Sequence, residues 1–456
     1  MRKFIFVKRF IFGTIISCLF LFLALFSISF FIPRKILIQS QRSDSFIEED
    51  GSPLTDEARY LKSFEDIKKD FILTETDFLE VNLDQMKVRL WRAGFLEREF
   101  PILTKGDTQG WGGSAAGLYS ILSGRRVSFS IISDVYMPHA LHYYGKYYIH
   151  GEPYYPGGEK LASDVSGGCI RLSDEDAKTV YKLTELNMPM LVIDKEKDNY
   201  KYPEQEIAKF PEISAESYLV ADLDSSFIFA EKNSQKQFPA ASITKLMTAT
   251  VVAENIDLRK SILVREEMLE PYGSTEGLEA GKRFRVVELF YPLLIESSND
   301  AAEILSHFLG KEETVRLMNE KTKPILMEQT NFTDPSGFDL ENISTTQDLF
   351  YLARYILNNR PLVFEISRGK KVQSFGEIQF EIEKFWNKNI FINDPTFLGG
   401  KTGFLPEAGQ TALFVFRFFD EQKRERNIVI SLLGSGNHKT DTQKIYIWLL
   451  ENYFKS

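Results

Sequence analysis

The spacing of apolar residues changes several times along this chain, and each change predicts a different kind of element. Phe10 to Ile32 contains no charge at all, and a run of that length is enough to cross the roughly 30 Å hydrocarbon layer of a membrane. Arg2, Lys3, Lys8 and Arg9 precede it, so the positive-inside rule predicts a cytoplasmic stub at 1–9, an anchor at 10–32 and everything later on the far side. A cleaved signal peptide would have a shorter apolar run ending in small residues, for which Ser27-Ile28-Ser29 is a poor substitute. Residues 33–60 are polar and acidic and suit a spacer. From about 77 to 150, short strand-like runs (Phe78–Asn82, Val88–Trp91, Val127–Ile132, Lys146–His150) alternate with glycine-bearing turns. Ser173 then N-caps a helix reaching Leu186, with Glu175 and Asp176 in its first turn. This predicts a mostly β domain over 61–195, followed by a polar linker at 196–214. Beyond it come two strands (218–222 and 227–230) and helices after Ser242 and at 286–296, 300–309, 312–321 and 346–358. Strands at 411–418 and 427–433 and a helix at 441–453 close the chain. Strands first and last around a helical middle predict an α/β domain over 215–456, its sheet assembled from distant segments.

Composition narrows the partners. With 55 Lys and Arg against 64 Asp and Glu the net charge is −9, and the charge runs mix signs, so no basic surface offers itself to nucleic acid. The two cysteines, Cys18 inside the expected anchor and Cys169 far outside it, cannot pair with each other. Cys169 is therefore a free thiol in a chain expected to be exported. His139, His142, His307 and His438 form no ligand-spaced cluster, and neither a metal nor an organic cofactor is expected.

Three short motifs follow one another in the C-terminal half: Ser242-Ile-Thr-Lys245, Ser297-Ser-Asn299 and Lys401-Thr402-Gly403. A serine and a lysine three apart on a helix share a face, and an amine whose pKa is lowered by burial can take the hydroxyl proton. Ser297 is placed to relay that proton to a leaving amine, and Asn299 to hold Lys245 and a substrate amide. Lys401 adds a second cation, expected to help depress Lys245 and to attract a terminal carboxylate. Gly403 lets a strand approach a substrate backbone closely. The trio is that of penicillin-binding proteins and β-lactamases. A β-lactamase would want a Glu-x-x-x-Asn element well upstream of the Lys-Thr-Gly, whereas Glu383 and Asn387 stand just before it. Together with Asn331–Gly337, Ser344–Asp348 and Asn387-Lys-Asn389, the segment 215–455 resembles the low-molecular-weight D-alanyl-D-alanine carboxypeptidases. The resemblance implies Ser242 as nucleophile, Lys245 as general base, and an oxyanion hole from the N–H groups of Ser242 and Phe404. It further implies peptidoglycan stem peptides as substrates and β-lactams as inhibitors.

In the N-terminal half, His150-Gly151 is followed by Ser166-Gly-Gly168-Cys169-Ile-Arg171. A thiolate nucleophile needs a base beside it, His150 ends a strand-like run, and Gly167 and Gly168 leave room beside the sulfur. Residues 77–194 resemble an L,D-transpeptidase catalytic domain, whose signature runs His-Gly … Ser-His-Gly-Cys-Ile-Arg. The resemblance implies Cys169 as nucleophile, His150 as its base, and Arg171, Ser166 and Gly168 around the substrate. Two positions depart from the pattern: the second histidine is Gly167, and the usual Thr-Pro-x-Gly turn reads Ser114-Ala-Ala-Gly117. The expectation is a membrane-anchored, extracytoplasmic, bifunctional peptidoglycan enzyme. Its serine carboxypeptidase would trim pentapeptide stems to the tetrapeptides that its cysteine transpeptidase uses. The competing expectation is a β-lactamase-like or wall-binding protein whose thiol domain is degenerate.

Overall fold

The computed structural model describes residues 59–108, 112–163, 166–203, 208–269, 277–372 and 375–454. The expected stub, the anchor at 10–32 and nearly all of the spacer lie outside them. Among the described residues no helix is long and apolar enough to cross a membrane.

The first half is built on nine strands: β1 (Phe78–Asn82), β2 (Lys87–Arg92), β3 (Phe95–Pro101), β4 (Gly117–Ser120), β5 (Ser123–Ser130), β6 (Val135–Tyr144), β7 (Tyr147–His150), β8 (Ile170–Arg171) and β9 (Pro189–Ile193). They form two sheets, ordered β3-β2-β1-β9-β4 and β5-β6-β7-β8. Leu79, Val81, Val88 and Leu90 of the first meet Leu141, Ile149 and Ile170 of the second in one core, as expected for alternating strands that each bury one face. The expected helix runs Asp174–Leu183 on the Ser173 cap and buries Ala177 and Val180. The expected strand at 127–132 ends earlier, at Ser130, because residues 131–134 make the turn into β6 with Asp134 at φ 52°. A helix at Phe64–Leu73, held by a Ser63–Asp66 capping box, was not legible from its short apolar pattern.

The second half adds β10 (Ser217–Asp222), β11 (Ile228–Lys232), β12 (Phe238–Pro239), β13 (Ser261–Leu263), β14 (Arg283–Arg285), β15 (Ile343–Ser344), β16 (Phe397–Leu405), β17 (Gly409–Phe419) and β18 (Glu425–Ser435). Its main sheet, ordered β11-β10-β18-β17-β16, is antiparallel throughout. One face packs against the helical middle, led by the helix Thr244–Asn255, and the other against the last helix, His438–Asn452. β17 and β18 are buried along nearly their whole length, the continuous apolar pattern of strands covered on both faces.

Of residues 196–214, read as a polar linker, the described parts 196–203 and 208–214 lie along this second half. Tyr202 packs on Phe227 and Phe229 and donates to Asp222 at 2.9 Å, and Phe210 stacks on Tyr218 and meets Trp448 edge-on. A few aromatic side chains bury enough area to hold an otherwise polar segment, which composition alone conceals. The two halves also touch directly. Ala116 enters the core of the second half, and Gly117 comes so close to the backbone of Pro324 that a Cβ would lie 2.8 Å from its carbonyl oxygen. Its glycine therefore serves a contact between the halves, with φ at +146°.

Candidate active sites

Ser242 lies in a 3-10 turn, Ala241–Ile243, that leads straight into the helix Thr244–Asn255. Ala241 holds φ at 50°, a left-handed conformation uncommon for a residue with a Cβ. Gly337 is pressed against the Ala241 carbonyl, where a Cβ would come within 1.9 Å. Lys245 follows one helical turn later, fully buried. Its Nζ stands 3.1 Å from Ser242 Oγ, 2.8 Å from Asn299 Oδ1 and 2.6 Å from the carbonyl oxygen of Ser336. Burial pushes the ammonium down to about 7, opposed by the Asp334 carboxylate.

The second motif sits where a π-turn, Pro292–Glu296, breaks the helix Val286–Tyr291. Ser297 ends it at φ 65°, and Ser298 caps the next helix, Asn299–Leu309. Such single π-turns cluster at functional positions. Here the turn frees Ser297 from the helix, and its Oγ accepts from Lys401 Nζ at 2.8 Å. Lys401 and Thr402 lie on β16, the edge strand of the sheet. Lys401 also donates to the Thr402 carbonyl at 2.8 Å. Burial holds its ammonium well below the usual lysine range, and the charges of Lys245 and Lys388 add to the effect. The two ammonium groups repel one another, and desolvation is the larger cause of the depression at both. Gly403 also has a neighbour other than the one expected. A Cβ there would lie 2.7 Å from the Ser242 amide nitrogen and 2.5 Å from Thr411 Oγ1, so this glycine lets β16 close on the nucleophile's own backbone. Phe404 is exposed and Thr402 nearly buried. Sequence reasoning missed the Ser336 carbonyl. Its loop is shaped by Asp334, whose carboxylate accepts from the N–H groups of Ser336, Gly337 and Asp339.

The thiol site lies at the ends of the parallel pair β7–β8, where His150 is in register with Arg171. His150, Cys169, Arg171, Ser166, Gly167 and Lys146 line one cleft. The buried imidazole is pushed down to about 4, so it is neutral. Its Nδ1–H donates to the Gly151 carbonyl at 2.6 Å, which leaves Nε2 as the basic nitrogen. Burial raises the Cys169 thiol, while the Tyr148 N–H and the cations of Arg171 and Lys146 pull it back. Arg171 donates to the Ser163 carbonyl at 3.1 Å. The Ser166 hydroxyl, expected beside substrate, is spent within the turn: it donates to the Cys169 carbonyl and accepts from Gly168 N–H. Of the two glycines expected to leave room, Gly167 does, with nothing within 4 Å of a Cβ. Gly168, at φ 117°, is backed by the Tyr147 ring, which a Cβ would meet at 2.1 Å. Lys146, in the turn between β6 and β7, was not singled out from sequence, because nothing local distinguishes a turn lysine whose tertiary neighbours bury it.

The family model of D-alanyl-D-alanine carboxypeptidases matches residues 204–431, half of the chain, and that of the L,D-transpeptidase catalytic domain matches residues 76–192. A D-alanyl-D-alanine endopeptidase of Haemophilus influenzae is 31% identical over 231 residues, covering 49% of this chain and 76% of its own. A D-alanyl-D-alanine carboxypeptidase of Mycobacterium tuberculosis is 29% identical over 205 residues, covering 44% of this chain and 70% of its own. A crystal structure of a D-alanyl-D-alanine carboxypeptidase from the same organism aligns at 25% identity with a TM-score of 0.46, covering 54% of this chain and 94% of that one. The chain belongs to the D-alanyl-D-alanine carboxypeptidase family and carries, ahead of that domain, an L,D-transpeptidase-type catalytic domain.

Proposed function

We propose that this chain is a bifunctional peptidoglycan enzyme, anchored in the membrane through residues 10–32 with both catalytic domains on the extracytoplasmic side. The serine domain removes the terminal D-alanine from pentapeptide stems. Neutral Lys245 takes the Ser242 proton as Oγ attacks the carbonyl between the two D-alanines. The N–H groups of Ser242 and Phe404 receive the developing oxyanion. Ser297, in contact with Lys401, returns a proton to the leaving D-alanine, whose carboxylate Lys401 and Thr402 attract. Asn299 holds Lys245 and the substrate amide. Water then releases the shortened stem from the acyl-enzyme. The observation that carries this reading is the placement of Lys245 Nζ at 3.1 Å from Ser242 Oγ, with two acceptors on its other sides.

The thiol domain takes the resulting tetrapeptide as acyl donor. His150 Nε2 accepts the Cys169 proton, and the thiolate attacks the carbonyl of the third residue and expels the last D-alanine. The acyl group then passes to an amine of a neighbouring stem. Arg171 faces the same cleft as the cation for a stem carboxylate. Keeping both domains on one chain raises the local concentration of the shared tetrapeptide. β-Lactams, strained amides with a carboxylate, acylate Ser242 by the same route.

Muropeptide mass spectrometry tests both activities on the full chain in detergent. Ser242→Ala should abolish fluorescent-penicillin labelling and pentapeptide trimming, and Cys169→Ala should abolish stem-to-stem products made from tetrapeptides. A wild-type chain that neither labels nor trims overturns the serine assignment. Cleavage of cross-linked dimers without trimming would make the serine domain an endopeptidase, the activity in the name of its 31% identical relative. Recovery of the full chain in the soluble fraction after expression would refute the anchor.

A further inference from the structure

The strand beside the thiol is gripped from the serine domain. The Cys169 sulfur donates to the Lys146 carbonyl at 3.7 Å, and the Tyr148 N–H stabilises its thiolate form. The backbone on either side of Tyr147 therefore holds the nucleophile, and the ring of Tyr147 backs Gly168, the residue before it. The ring of Tyr147 packs in its own domain's core, but its hydroxyl is held from outside that domain. Its hydroxyl accepts from Arg360 Nη2 at 2.8 Å, and Arg360 follows directly on the helix Thr346–Asn359 of the serine domain.

Arg360 is itself clamped. It is 2% exposed and donates from Nη1 to the Gly113 carbonyl at 2.8 Å and to the Asn359 carbonyl at 2.6 Å. Its Nη2 lies 3.2 Å from Glu254 Oε1. Glu254, fully buried, pairs also with Lys321 at 3.0 Å and accepts from the Tyr355 hydroxyl. Lys321 in turn donates to Tyr119 Oη at 3.1 Å and stands 4.6 Å above the ring of Tyr144. Glu254 belongs to the last turn of the helix that begins just after Ser242, and a Cβ on Gly145 would lie 3.0 Å from Asn255 of that helix. The far end of the nucleophile helix thus presses against the turn that carries Lys146 and Tyr147. A guanidinium presents its donors in a fixed planar fork, so Arg360 sets the Tyr147 hydroxyl in both distance and direction.

We propose that Arg360 is a positioning residue of the thiol site. Acting through the Tyr147 hydroxyl, it fixes the strand whose backbone holds the Cys169 sulfur, so the thiol domain is competent only when docked on the serine domain. This inference rests on the thiol-enzyme reading above but can be judged apart from it. In the full chain, Tyr147→Phe keeps the ring behind Gly168 and removes only the oxygen that Arg360 grips. Arg360→Met removes the grip and leaves Glu254 paired with Lys321. Iodoacetamide alkylation of Cys169, followed by peptide mass spectrometry to separate it from Cys18, needs no natural substrate. Turnover on tetrapeptide stems supplies kcat and KM, and fluorescent-penicillin labelling of Ser242 reports an intact serine domain. Each variant should lower the alkylation rate and kcat about tenfold, within what a sub-ångström misplacement of a reacting group costs, with KM and penicillin labelling unchanged. The double variant should be no worse than Arg360→Met, since both cut one link. A penicillin-labelled variant with wild-type alkylation and kcat overturns the proposal, as does multiplication of the two effects. Should Arg360→Met lose its labelling, Tyr147→Phe alone decides by the same criteria. A wild-type chain alkylated at Cys169 but inactive on tetrapeptides would sink the thiol-enzyme reading and leave the alkylation rates to judge the placement.

Discussion

A neutral primary amine has two N–H bonds and one lone pair, and Lys245 has three polar neighbours arranged to match. Asn299 Oδ1 and the Ser336 carbonyl can only accept, which leaves the lone pair for the Ser242 hydroxyl. The ammonium form would have nothing to offer Ser242 but a competing proton. Because burial brings this amine down to about 7, the fraction able to act as base grows as pH rises through that value. The rate of fluorescent-penicillin acylation should accordingly climb from acid pH and level off above neutrality, and a rate flat from pH 5.5 to 9 would refute the assignment. Lys245→Met should lower that rate by a factor of about 10² to 10⁴. The paired glycines of the thiol site make opposite predictions. Gly167→His, which restores the residue of the family signature, meets open space and should change stability by no more than about 0.5 kcal/mol. Gly168→Ala would drive a Cβ into the Tyr147 ring at a φ that favours glycine and should abolish Cys169 alkylation. Thermal melts and alkylation rates of the two variants check the contrast.

Elements matter here mainly for where they end. The π-turn at Pro292–Glu296 puts Ser297 outside a helix yet within 2.8 Å of Lys401, and among the described residues the edge position of β16 leaves one side of Lys401-Thr402-Gly403 without a strand partner. An unpaired edge of this kind can receive an extended peptide by backbone hydrogen bonding. β16 is held in place from behind, where the Gly400 N–H donates to Ser367 Oγ at 3.0 Å and Asn389 Nδ2 to the Ser367 carbonyl at 2.8 Å. Gly403→Ala would force β16 away from the Ser242 amide. It should cost at least about tenfold in penicillin acylation while the far-UV circular dichroism stays unchanged, since a displacement near 1 Å is costly to a reacting pair but not to a fold. The stretch Asn331–Gly337 supplies the Ser336 carbonyl through a loop organised by Asp334. That carbonyl could not be read from sequence, because a backbone acceptor leaves no residue signature.

At the scale of the whole molecule, one group of buried charges lies between the two catalytic halves. Glu254, Lys321 and Arg360 belong to the second half, while Tyr119, Tyr144 and Tyr147, which close around them, belong to the first. Removing one member of such a group leaves its partners desolvated without compensation, which costs about 3–5 kcal/mol. Glu254→Gln, which keeps the shape and removes the charge, should destabilise the protein by about 3 kcal/mol on that scale, read as a lower unfolding midpoint in urea. Because the cluster binds both halves, the wild-type chain should unfold in one calorimetric transition. Two well-separated wild-type transitions would show that the halves are energetically independent.

The serine motifs were legible in sequence because their chemistry is local in type: a hydroxyl and an amine one helical turn apart, followed by Ser-x-Asn and Lys-Thr-Gly in a fixed order. The helices around them were legible too, since long amphipathic segments such as Thr346–Asn359 bury a stripe that recurs at helical spacing. His150 and Cys169 could be proposed as partners from the needs of a thiolate nucleophile and from resemblance, and tertiary structure brings them into one cleft by pairing β7 with β8 in parallel. What sequence could not supply is the part set by distant segments meeting. Lys146 reads only as the first residue of a strand-like run, yet it sits half-buried in the turn before β7, where desolvation lowers its pKa to about 8. Gly403 reads as room for substrate and instead admits the Ser242 backbone. Residues 196–214 read as a linker, yet Tyr202 and Phe210 within them pack on the second half through their rings. In each case the residue's type was visible and its neighbours were not, because desolvation and close approach depend on which remote atoms fill the surrounding space.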